Sequence, residues 1–329
     1  MRQRPQYLLA AFATAGHPVY FIDPREPEER TAEGVRIVNG VDRVPKRGVI
    51  LYVHFAPMRH MFSLFDQPAV VYDLLDDLSI YEPDEVGLPA ERRVASHHPH
   101  VMGSADVVLV SNRVLAERHS SERPDLLLVP NGVDPGRFGK LAERPPDLPD
   151  PDPDQPIIGY HGAVSLWFDF DLLEAVARLR PAWRFVLVGP VDDRVADRAE
   201  ALGEIPNIRL LGEKSSDAMP GYVQGFDVGT IWFQVNEMTL GVTPLKMYEY
   251  LAAGVPCVAT PLPACVDEPE VATAADPDRF IADVEAALAS GRDPDAAAVR
   301  RAAARQHSWD AHLSPALTKL QELGLDRVP

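Results

Sequence analysis

The sequence predicts an α/β protein made of two facing doubly wound (Rossmann-like) domains. Short apolar runs alternate with amphipathic segments along the whole chain, which is typical of parallel sheets covered by helices on both faces. The alternation stops once, at a segment dense in proline and aspartate from Arg144 to Asp154, and then restarts. The 329 residues are enough for two domains of ordinary size, and 46% of them are hydrophobic. We therefore expect two similar domains with the active site in the cleft between them.

The first half is predicted to open with a helix over Pro5–Ala15, which Gly16 ends. A doubly wound domain normally opens with a strand, then a phosphate-facing turn, then a helix. The first strand of the N-terminal domain is therefore missing from the predicted order. Either the true protein begins upstream or this sheet is reorganised, and we favour an upstream start. The predicted strands of this half are Val19–Ile22, Val35–Val38, Val49–Phe55, Ala69–Leu74, Val107–Val110 and Leu126–Val129.

The second half repeats the alternation. We expect an N-terminal domain over residues 1–143, a linker over 144–156, a C-terminal domain over 157–306, and a final helix over 307–329 that packs back toward the first domain. The predicted strands are Ile157–Tyr160, Arg184–Val188, Ile208–Leu211, Val228–Trp232 and Cys257–Thr260. The predicted helices are Asp171–Leu179, Arg194–Leu202, Pro244–Ala253 and Asp278–Ala289.

The composition excludes several classes of partner. The formal net charge is −17, from 49 acidic and 32 basic side chains, so nucleic acid is not an expected partner. No apolar run approaches the ~20 residues of a membrane span. Cys257 and Cys265 form neither a disulfide framework nor a zinc site, which fits the cytoplasm. His97, His98 and His100 surround Pro99 and lack a fourth ligand, so we expect them to face solvent and expect no metal site.

The strongest single feature is the helix predicted to open at Thr243. Thr243 suits the N-cap, Pro244 the first helical position and Gly254 the end. The backbone N–H groups of such a helix start bind anions, and Lys246 adds a positive charge. Glu249 follows roughly 8 Å along the helix, about the distance from a pyrophosphate to a ribose. The helix alone leaves two interpretations open, a ligand clamp or a surface ion pair between Lys246 and Glu249.

The run Pro244-Leu-Lys-Met-Tyr-Glu-Tyr-Leu-Ala-Ala-Gly-Val-Pro-Cys-Val258 resembles the donor-binding segment of family-4-like glycosyltransferases with the two-domain GT-B fold. The resemblance is closest to the bacterial polysaccharide and teichuronic-acid-type members. It extends along nearly the whole chain in order and spacing. The further matching motifs are Arg4-Pro5-Gln6, Gly16-His17-Pro18-Val19, Tyr72-Asp73, Ala105-Asp106 to Ser111, Val129 to Asp134, Gly159-Tyr-His-Gly162, Trp167-Phe-Asp169, Gly212-Glu213-Lys214 and Ser308-Trp309.

The resemblance implies transfer of a sugar from a nucleotide diphosphate-sugar, with a UDP- or GDP-sugar expected. It implies that Glu249 holds the donor ribose and that no cofactor or metal is required. Phosphate neutralisation would then come from Lys246, Lys214 or Arg4. The residues that it places at the donor site are Glu249, Lys246, Thr243, Leu245, Thr239, Gly241, Gly212, Glu213, Lys214, Gly162 and Arg4.

Three positions depart from the family pattern. An earlier Glu is replaced by Gly241, and the usual Arg and Lys fall near Ala163 and Asp169. Reduced or lost activity is therefore one alternative, as a nucleotide-binding subunit without turnover. A sugar-nucleotide epimerase of the same fold is another.

Acidic side chains at the end of the strand Ala69–Leu74 are the candidate catalytic groups. Crowded carboxylates raise one another's pKa, which suits a proton acceptor, so we expect at least one of Asp73, Asp76 and Asp77 to act in catalysis. Helix capping by Asp76 or Asp77 is the alternative. His54 is a further candidate. By analogy, the acceptor is a glycan, a lipid-linked saccharide or a small molecule, and the protein is cytoplasmic with a possible peripheral site on the inner membrane face.

Overall fold

The computed structural model describes residues 4–75, 89–291 and 293–325, with the backbone alone for 89–95. The chain divides into two compact units. We call Arg2–Asn131 together with Trp309–Pro329 the N-terminal unit, and Gly132–Ser308 the C-terminal unit. No helix in the described part of the chain is long and apolar enough to cross a membrane.

The N-terminal unit contains two separate sheets. One has the strand order β1-β3-β2, with β2 antiparallel to β3, and the other is fully parallel with the order β4-β5-β6-β7. Two 3₁₀ segments, Val41–Arg43 and Ala56–Leu64, lie before and after β4. The bounds are α1 Arg4–Thr14, β1 Val19–Ile22, β2 Arg30–Ala32, β3 Val35–Val38, β4 Ile50–Val53, β5 Ala69–Leu74, α2 Pro89–Ser104, β6 Val107–Val110, α3 Arg113–His119 and β7 Leu127–Leu128.

The predicted helix and strands of this half are therefore present within a few residues, but they do not form one continuous sheet. β1 and β4 each lie at the edge of their own sheet. The sequence analysis missed β2 because Arg30–Ala32 is exposed and lacks the apolar pattern of a buried strand.

The C-terminal unit has one six-stranded parallel sheet with the order β10-β9-β8-β11-β12-β13. All five residues of β8 are buried because helices cover both faces of the sheet. The bounds are α4 Pro135–Gly139, β8 Ile157–His161, α5 Phe170–Leu179, β9 Arg184–Val188, α6 Ala196–Gly203, β10 Ile208–Leu210, α7 Met219–Gln224, β11 Val228–Ile231, α8 Glu237–Leu240, α9 Leu245–Ala253, β12 Cys257–Ala259, α10 Pro263–Val266, β13 Val271–Thr273, α11 Pro277–Ser290 and α12 Pro294–Gln306.

The final helix, α13 Trp309–Glu322, belongs to the N-terminal unit, where Trp309 stacks on Tyr7 of α1 with ring centroids 5.1 Å apart. The helical region breaks at His307-Ser308, between α12 and α13, so the final helix begins two residues later than predicted.

The proline- and aspartate-rich segment does not form an exposed linker. Leu148 is 4% exposed and joins the core of the C-terminal unit, and the Tyr222 hydroxyl donates to Asp147 at 2.6 Å. The structure places the boundary between the units at Asn131 and Gly132, because α4 and the segment after it pack on α7 and α9. One buried leucine within a polar run was too weak a signal to show this packing.

Candidate functional site

The site is built at the carboxyl end of the parallel sheet in the C-terminal unit. Its strand order reverses between β8 and β11, since the chain runs outward from β8 through β9 to β10 and then returns to the other side at β11. In open α/β sheets, ligands bind at such a reversal, in the crevice outside the carboxyl ends of the two strands. His161 ends β8, and Gly162 and Phe233 lie just beyond β8 and β11.

Backbone atoms crowd this edge at two glycines. Gly162 has a φ of +129°, and a Cβ added there would lie 2.8 Å from Nζ of Lys246. Gly189, which follows β9, has a φ of +154°, and a Cβ there would lie 2.1 Å from the Gly162 carbonyl oxygen. Both positions therefore require glycine, and we call this close-packed backbone at Gly162 and Gly189 the wall of the site.

Helix α9 begins at Leu245, with Pro244 as the N-cap. The prediction that Thr243 caps the helix is wrong, because no side chain caps α9 and the Thr243 side chain is buried. The first N–H groups of an α-helix have no partner within the helix, so this start keeps its capacity to bind an anion. At the other end, Gly254 adopts the left-handed conformation with a φ of +80°, as its position predicted.

Lys246 lies in an aromatic cradle beside Gly162. Its Nζ lies 4.5 Å from the ring centroids of both Tyr160 and Phe233, and donates to the Tyr160 hydroxyl at 3.3 Å. Burial lowers the pKa of Lys246 from its ordinary 10.5 to about 8, although the nearby Glu249 carboxylate opposes part of that shift. The ammonium is thus held in position but poorly solvated, so an anionic ligand would stabilise its charged form.

Glu249 faces the end of β8. Its Oε2 lies 3.1 Å from Nε2 of His161, and both side chains are buried, at 8% and 5% exposure. Tyr250, the next residue, fixes this contact from behind, since its ring packs edge-on against His161 and its hydroxyl accepts the backbone N–H of His161 at 3.2 Å. Lys246 and Glu249 therefore do not form the surface ion pair that the helix alone left open, because each side chain packs against its own neighbours.

The loop before α9 is fixed by its own hydrogen bonds. The Thr239 hydroxyl donates to the backbone carbonyls of Gln234 and Asn236, and it accepts the Asn236 N–H at 3.0 Å in a capping box of α8. Gly241 ends α8, and the side chain of Leu245 is half-buried. Thr239 thus fixes the shape of the loop, since its hydroxyl is used within the loop. If the loop approaches a ligand as predicted, backbone atoms of the loop would make the contact.

Gly212, Glu213 and Lys214 follow β10 at the same edge of the sheet. The Gly212 carbonyl accepts the Gly189 N–H at 2.9 Å, which ties the two strand ends together. Lys214 pairs with Asp147 at 2.8 Å, so a carboxylate of the protein already balances its charge. Lys246 is consequently the better placed cation of the two.

The N-terminal unit brings two predicted residues together. Nε and Nη2 of Arg4 both donate to the Asp73 carboxylate at 2.8–3.0 Å, and Nη1 reaches Oδ1 of Asn131 at 3.3 Å. The Tyr52 hydroxyl also donates to Asp73, and burial together with that carboxylate raises the pKa of Tyr52. Arg4 and Asp73 are 3% and 0% exposed.

Asp73 is therefore buried and paired with an arginine, whereas the expected crowding of carboxylates also involves Asp76 and Asp77. Its partner Arg4 is likewise neutralised by this contact. The His54 side chain is exposed to solvent on one side. Neighbouring protein atoms partly desolvate its ring, which lowers the pKa of His54, while the Asp73 carboxylate opposes this shift. Asp76 and Asp77 lie outside the described residues.

One cluster of metal-ligand type occurs among the described residues. His98, His119 and Glu122 place possible ligand atoms within 4.8 Å of one another. His98 is buried and hydrogen-bonds the Tyr72 hydroxyl through Nδ1 at 2.9 Å, so the prediction that it faces solvent is wrong. The reason is its place on the inner face of α2, which the sequence did not reveal.

Sequence reasoning missed three contributors to the site: His161, Tyr160 and Phe233. The first two stand in the Gly159-Tyr-His-Gly162 motif, where a buried strand ends in a glycine, and that position was itself a usable signal. Nothing in the local sequence marks Phe233 as a neighbour of Lys246, because the contact joins segments far apart in the chain.

Comparisons with known proteins agree with this geometry. Residues 155–290 match the family model described as Glycosyl transferases group 1. A curated relative, the putative teichuronic acid biosynthesis glycosyltransferase TuaH of Bacillus subtilis (strain 168), is 26% identical over 272 residues, which cover 79% of this chain and 68% of the relative.

Solved structures share the fold at low sequence identity. Sucrose-phosphate synthase from Thermosynechococcus elongatus aligns with a TM-score of 0.72 and 17% identity over 97% of this chain and 92% of that one. Anabaena HepE in complex with UDP-glucose aligns with a TM-score of 0.60 and 14% identity over 84% and 78%. The chain therefore shares the GT-B fold of these structures, and its residues 155–290 are similar to the glycosyltransferases of group 1.

Proposed function

We propose that the protein transfers a sugar from a UDP-sugar to a saccharide acceptor, and that the crevice between β8 and β11 binds the donor. The observation that carries the proposal is the convergence of a carboxylate, a poorly solvated ammonium, a helix start and the wall of the site at the strand-order reversal. Anabaena HepE, which shares the fold, was solved with UDP and with UDP-glucose, which supports uridine as the base.

In this proposal the diphosphate lies at the start of α9. The N–H groups of the first turn and the Lys246 ammonium neutralise its charge, as a helix terminus and a lysine do in phosphate sites generally. Gly162 leaves room for the Lys246 ammonium beside the phosphates, because a Cβ there would lie 2.8 Å from Nζ. Positive charge supplied in this way makes a metal unnecessary for donor binding.

Glu249 accepts the ribose hydroxyls. Its buried carboxylate lies 3.1 Å from Nε2 of His161 at the end of β8, the edge of the sheet where we place the donor. A carboxylate that accepts two neighbouring hydroxyls forms charge-assisted hydrogen bonds, which are about twice as strong as neutral ones. Glu249 lies five residues, or about 7.5 Å of helix rise, beyond the N-cap Pro244, which suits a ligand that spans phosphate to ribose.

The chemical outcome rests on the family resemblance. We propose transfer with retention of the anomeric configuration. The bond between the anomeric carbon and the UDP phosphate oxygen breaks, the acceptor oxygen forms the new glycosidic bond, and a phosphate oxygen of the departing UDP takes the acceptor proton. The acceptor is a growing glycan or lipid-linked saccharide of an envelope polysaccharide, as the name of the Bacillus subtilis relative indicates for that protein. A lipid-linked acceptor would bring the protein to a membrane surface as a peripheral partner.

A second candidate is a nucleotide-binding subunit without turnover. It is favoured by Gly241, Ala163 and Asp169, which stand where related enzymes carry Glu, Arg and Lys. In the structure Asp169 caps α5 by accepting the Leu172 N–H at 3.0 Å, so it supplies no cation to the site.

Thermal denaturation with UDP, GDP and dTDP and their sugars tests the donor site. A ligand present at 100 times its Kd stabilises the folded protein by about 2.7 kcal/mol, so the uridine ligands should raise the Tm most.

UDP release is then followed with UDP-glucose, with and without saccharide acceptors. A transferase releases UDP only when an acceptor receives the sugar, whereas the inactive subunit releases none. No Tm shift with any nucleotide would contradict the proposal.

A further inference from the structure

Three side chains of the N-terminal unit, His98, His119 and Glu122, form a compact group of metal-ligand type. One possible ligand atom from each lies within 4.8 Å of the other two. His98 lies in α2, His119 is the last residue of α3, and Glu122 follows in the turn after α3. The expectation of no metal site rested on the histidines around Pro99, whereas the fold brings a second histidine and a carboxylate to one of them from further along the chain.

The two histidines form the buried half of the group. His98 and His119 are 4% and 6% exposed, and their ring centroids lie 5.1 Å apart with an angle of 58° between the ring planes. Two imidazoles that bind one Zn²⁺ ion in tetrahedral geometry, with Zn–N bonds of about 2.0–2.1 Å, have ring centroids about 5 Å apart. The spacing of these two rings is therefore already that of a shared ion.

Tyr72 of β5 orients the ring of His98. The Tyr72 hydroxyl hydrogen-bonds Nδ1 of His98 at 2.9 Å, and the tyrosine is itself 2% exposed. When Nδ1 donates its proton to this oxygen, the lone pair lies on Nε2. Metal-binding histidines have this arrangement, because a hydrogen bond at one ring nitrogen fixes the ring and its tautomer for a metal at the other.

The turn that carries Glu122 is tied to α2. The N–H groups of Glu122 and Arg123 both donate to the His119 carbonyl, at 3.1 and 2.9 Å. The Arg123 guanidinium donates in turn to the Met102 carbonyl at 2.7 Å, about one helical turn beyond His98. The two segments that supply the ligands are therefore held next to each other by the protein itself.

Glu122 is the adjustable member of the group. Its side chain is 61% exposed, and its Oε2 lies 3.9 Å from Nδ1 of His119. Ligand atoms around a tetrahedral Zn²⁺ ion lie about 3.3–3.5 Å apart, so the atoms of this group would have to approach one another by at most about 1.5 Å. Rotation of an exposed glutamate side chain can supply much of that movement.

The ligand types select the ion. Imidazole nitrogen suits Zn²⁺, Cu²⁺ and Ni²⁺, whereas Ca²⁺ and Mg²⁺ take oxygen ligands. Two histidines and one glutamate bind Zn²⁺ in proteins with water in the fourth position. Three protein ligands, one of them exposed to solvent, favour reversible binding that a chelator can undo.

We propose that His98, His119 and Glu122 bind a Zn²⁺ ion, with water as the fourth ligand, and that the ion fastens α2 to the turn after α3. All three ligands belong to the N-terminal unit, so the inference goes beyond the donor site and does not depend on it. Because the ion binds the folded arrangement of two separate segments, it stabilises the folded protein.

Zinc binding to the 329-residue chain tests this proposal. The protein is treated with EDTA, dialysed and titrated with zinc chloride by calorimetry, and the Tm is measured with and without zinc. We expect a single saturable site and a higher Tm with zinc, and Co²⁺ in its place should give the visible absorption bands of tetrahedral coordination. Glu122→Gln and Tyr72→Phe should each raise the Kd for zinc about 10- to 100-fold.

His100→Gln is the matched control. His100 is an exposed histidine of the same helix and lies outside the group, so this variant should bind zinc like the wild type. Glu122→Gln changes an exposed side chain and should keep the Tm of the metal-free protein, which separates a lost ligand from a folding defect.

Two results would overturn the proposal. One is the lack of a saturable zinc site in the wild-type chain, with the same Tm in zinc and in EDTA. The other is a Glu122→Gln variant that binds zinc as tightly as the wild type, since the ion would then be held by other histidines of the surface.

Discussion

Lys246 links donor binding to pH in a way that the geometry predicts quantitatively. Its burial among Tyr160, Phe233 and Gly162 lowers its pKa to about 8. A bound diphosphate favours the charged ammonium and so restores the pKa toward its ordinary 10.5. The ligand therefore binds most tightly below pH 8, where Lys246 is already protonated, and more weakly as the pH rises through 8.

The size of this effect follows from the two pKa values. If the full difference is restored, donor affinity falls about tenfold between pH 7 and pH 9, since the protein must then take up a proton in order to bind. Lys246→Met keeps the length of the side chain and removes its charge. It should weaken binding by about 10- to 100-fold at pH 7, as expected for loss of a hydrogen bond to a charged group, and it should abolish the pH dependence.

Isothermal titration calorimetry with UDP-glucose at several pH values between 7 and 9 measures both effects. Lys319→Met is a matched control, because Lys319 is a partly exposed lysine in α13 of the N-terminal unit, 32% exposed and paired at 3.7 Å with Glu322. It should bind UDP-glucose like the wild type at every pH. A pH-independent wild-type affinity, or an unchanged pH dependence in Lys246→Met, would refute the role of Lys246.

Two further substitutions test the wall of the site and the buried ion pair. Gly162→Ala should cost about 1–3 kcal/mol of stability in urea denaturation and weaken UDP-glucose binding, because the residue has a φ of +129° and its Cβ would displace Lys246. Gly324→Ala, with a φ of +68° and no atom within 4 Å of the added Cβ, should cost about 1–2 kcal/mol and leave binding intact. Equal binding by the two variants would contradict the proposed wall. Arg4→Met should destabilise the protein by about 3–5 kcal/mol because the Asp73 carboxylate loses its buried cation, and Arg4→Met combined with Asp73→Asn should recover much of that loss. An additive loss in the double variant would show that the two residues are not coupled.

The sequence predicted the sheets of the C-terminal unit well, because a buried parallel strand such as Ile157–His161 is an uninterrupted apolar run between clear breaks. It predicted the end of α9 at Gly254 for an equally local reason, the left-handed turn that glycine tolerates. It missed the start, since a threonine before a proline is consistent with either residue as the N-cap.

Pairings between distant segments were beyond the reach of sequence reasoning. The sequence predicted Arg4 as a contact of the donor phosphates and Asp73 as a catalytic group, but the two side chains pair with each other across 69 residues of chain. The His161 contact to Glu249 and the aromatic cradle of Lys246 likewise depend on the strand order of the sheet, which neither periodicity nor capping signals encode.

The role of Glu249 is the most direct test of the donor site. Glu249→Gln keeps the shape of the side chain and removes the negative charge that the ribose hydroxyls and His161 face. We predict that calorimetry with UDP-glucose will show a Kd about 10- to 100-fold higher than that of the wild type, with a Tm within a few degrees of it. A folded Glu249→Gln variant that binds UDP-glucose as tightly as the wild type would contradict the assignment of this crevice as the donor site.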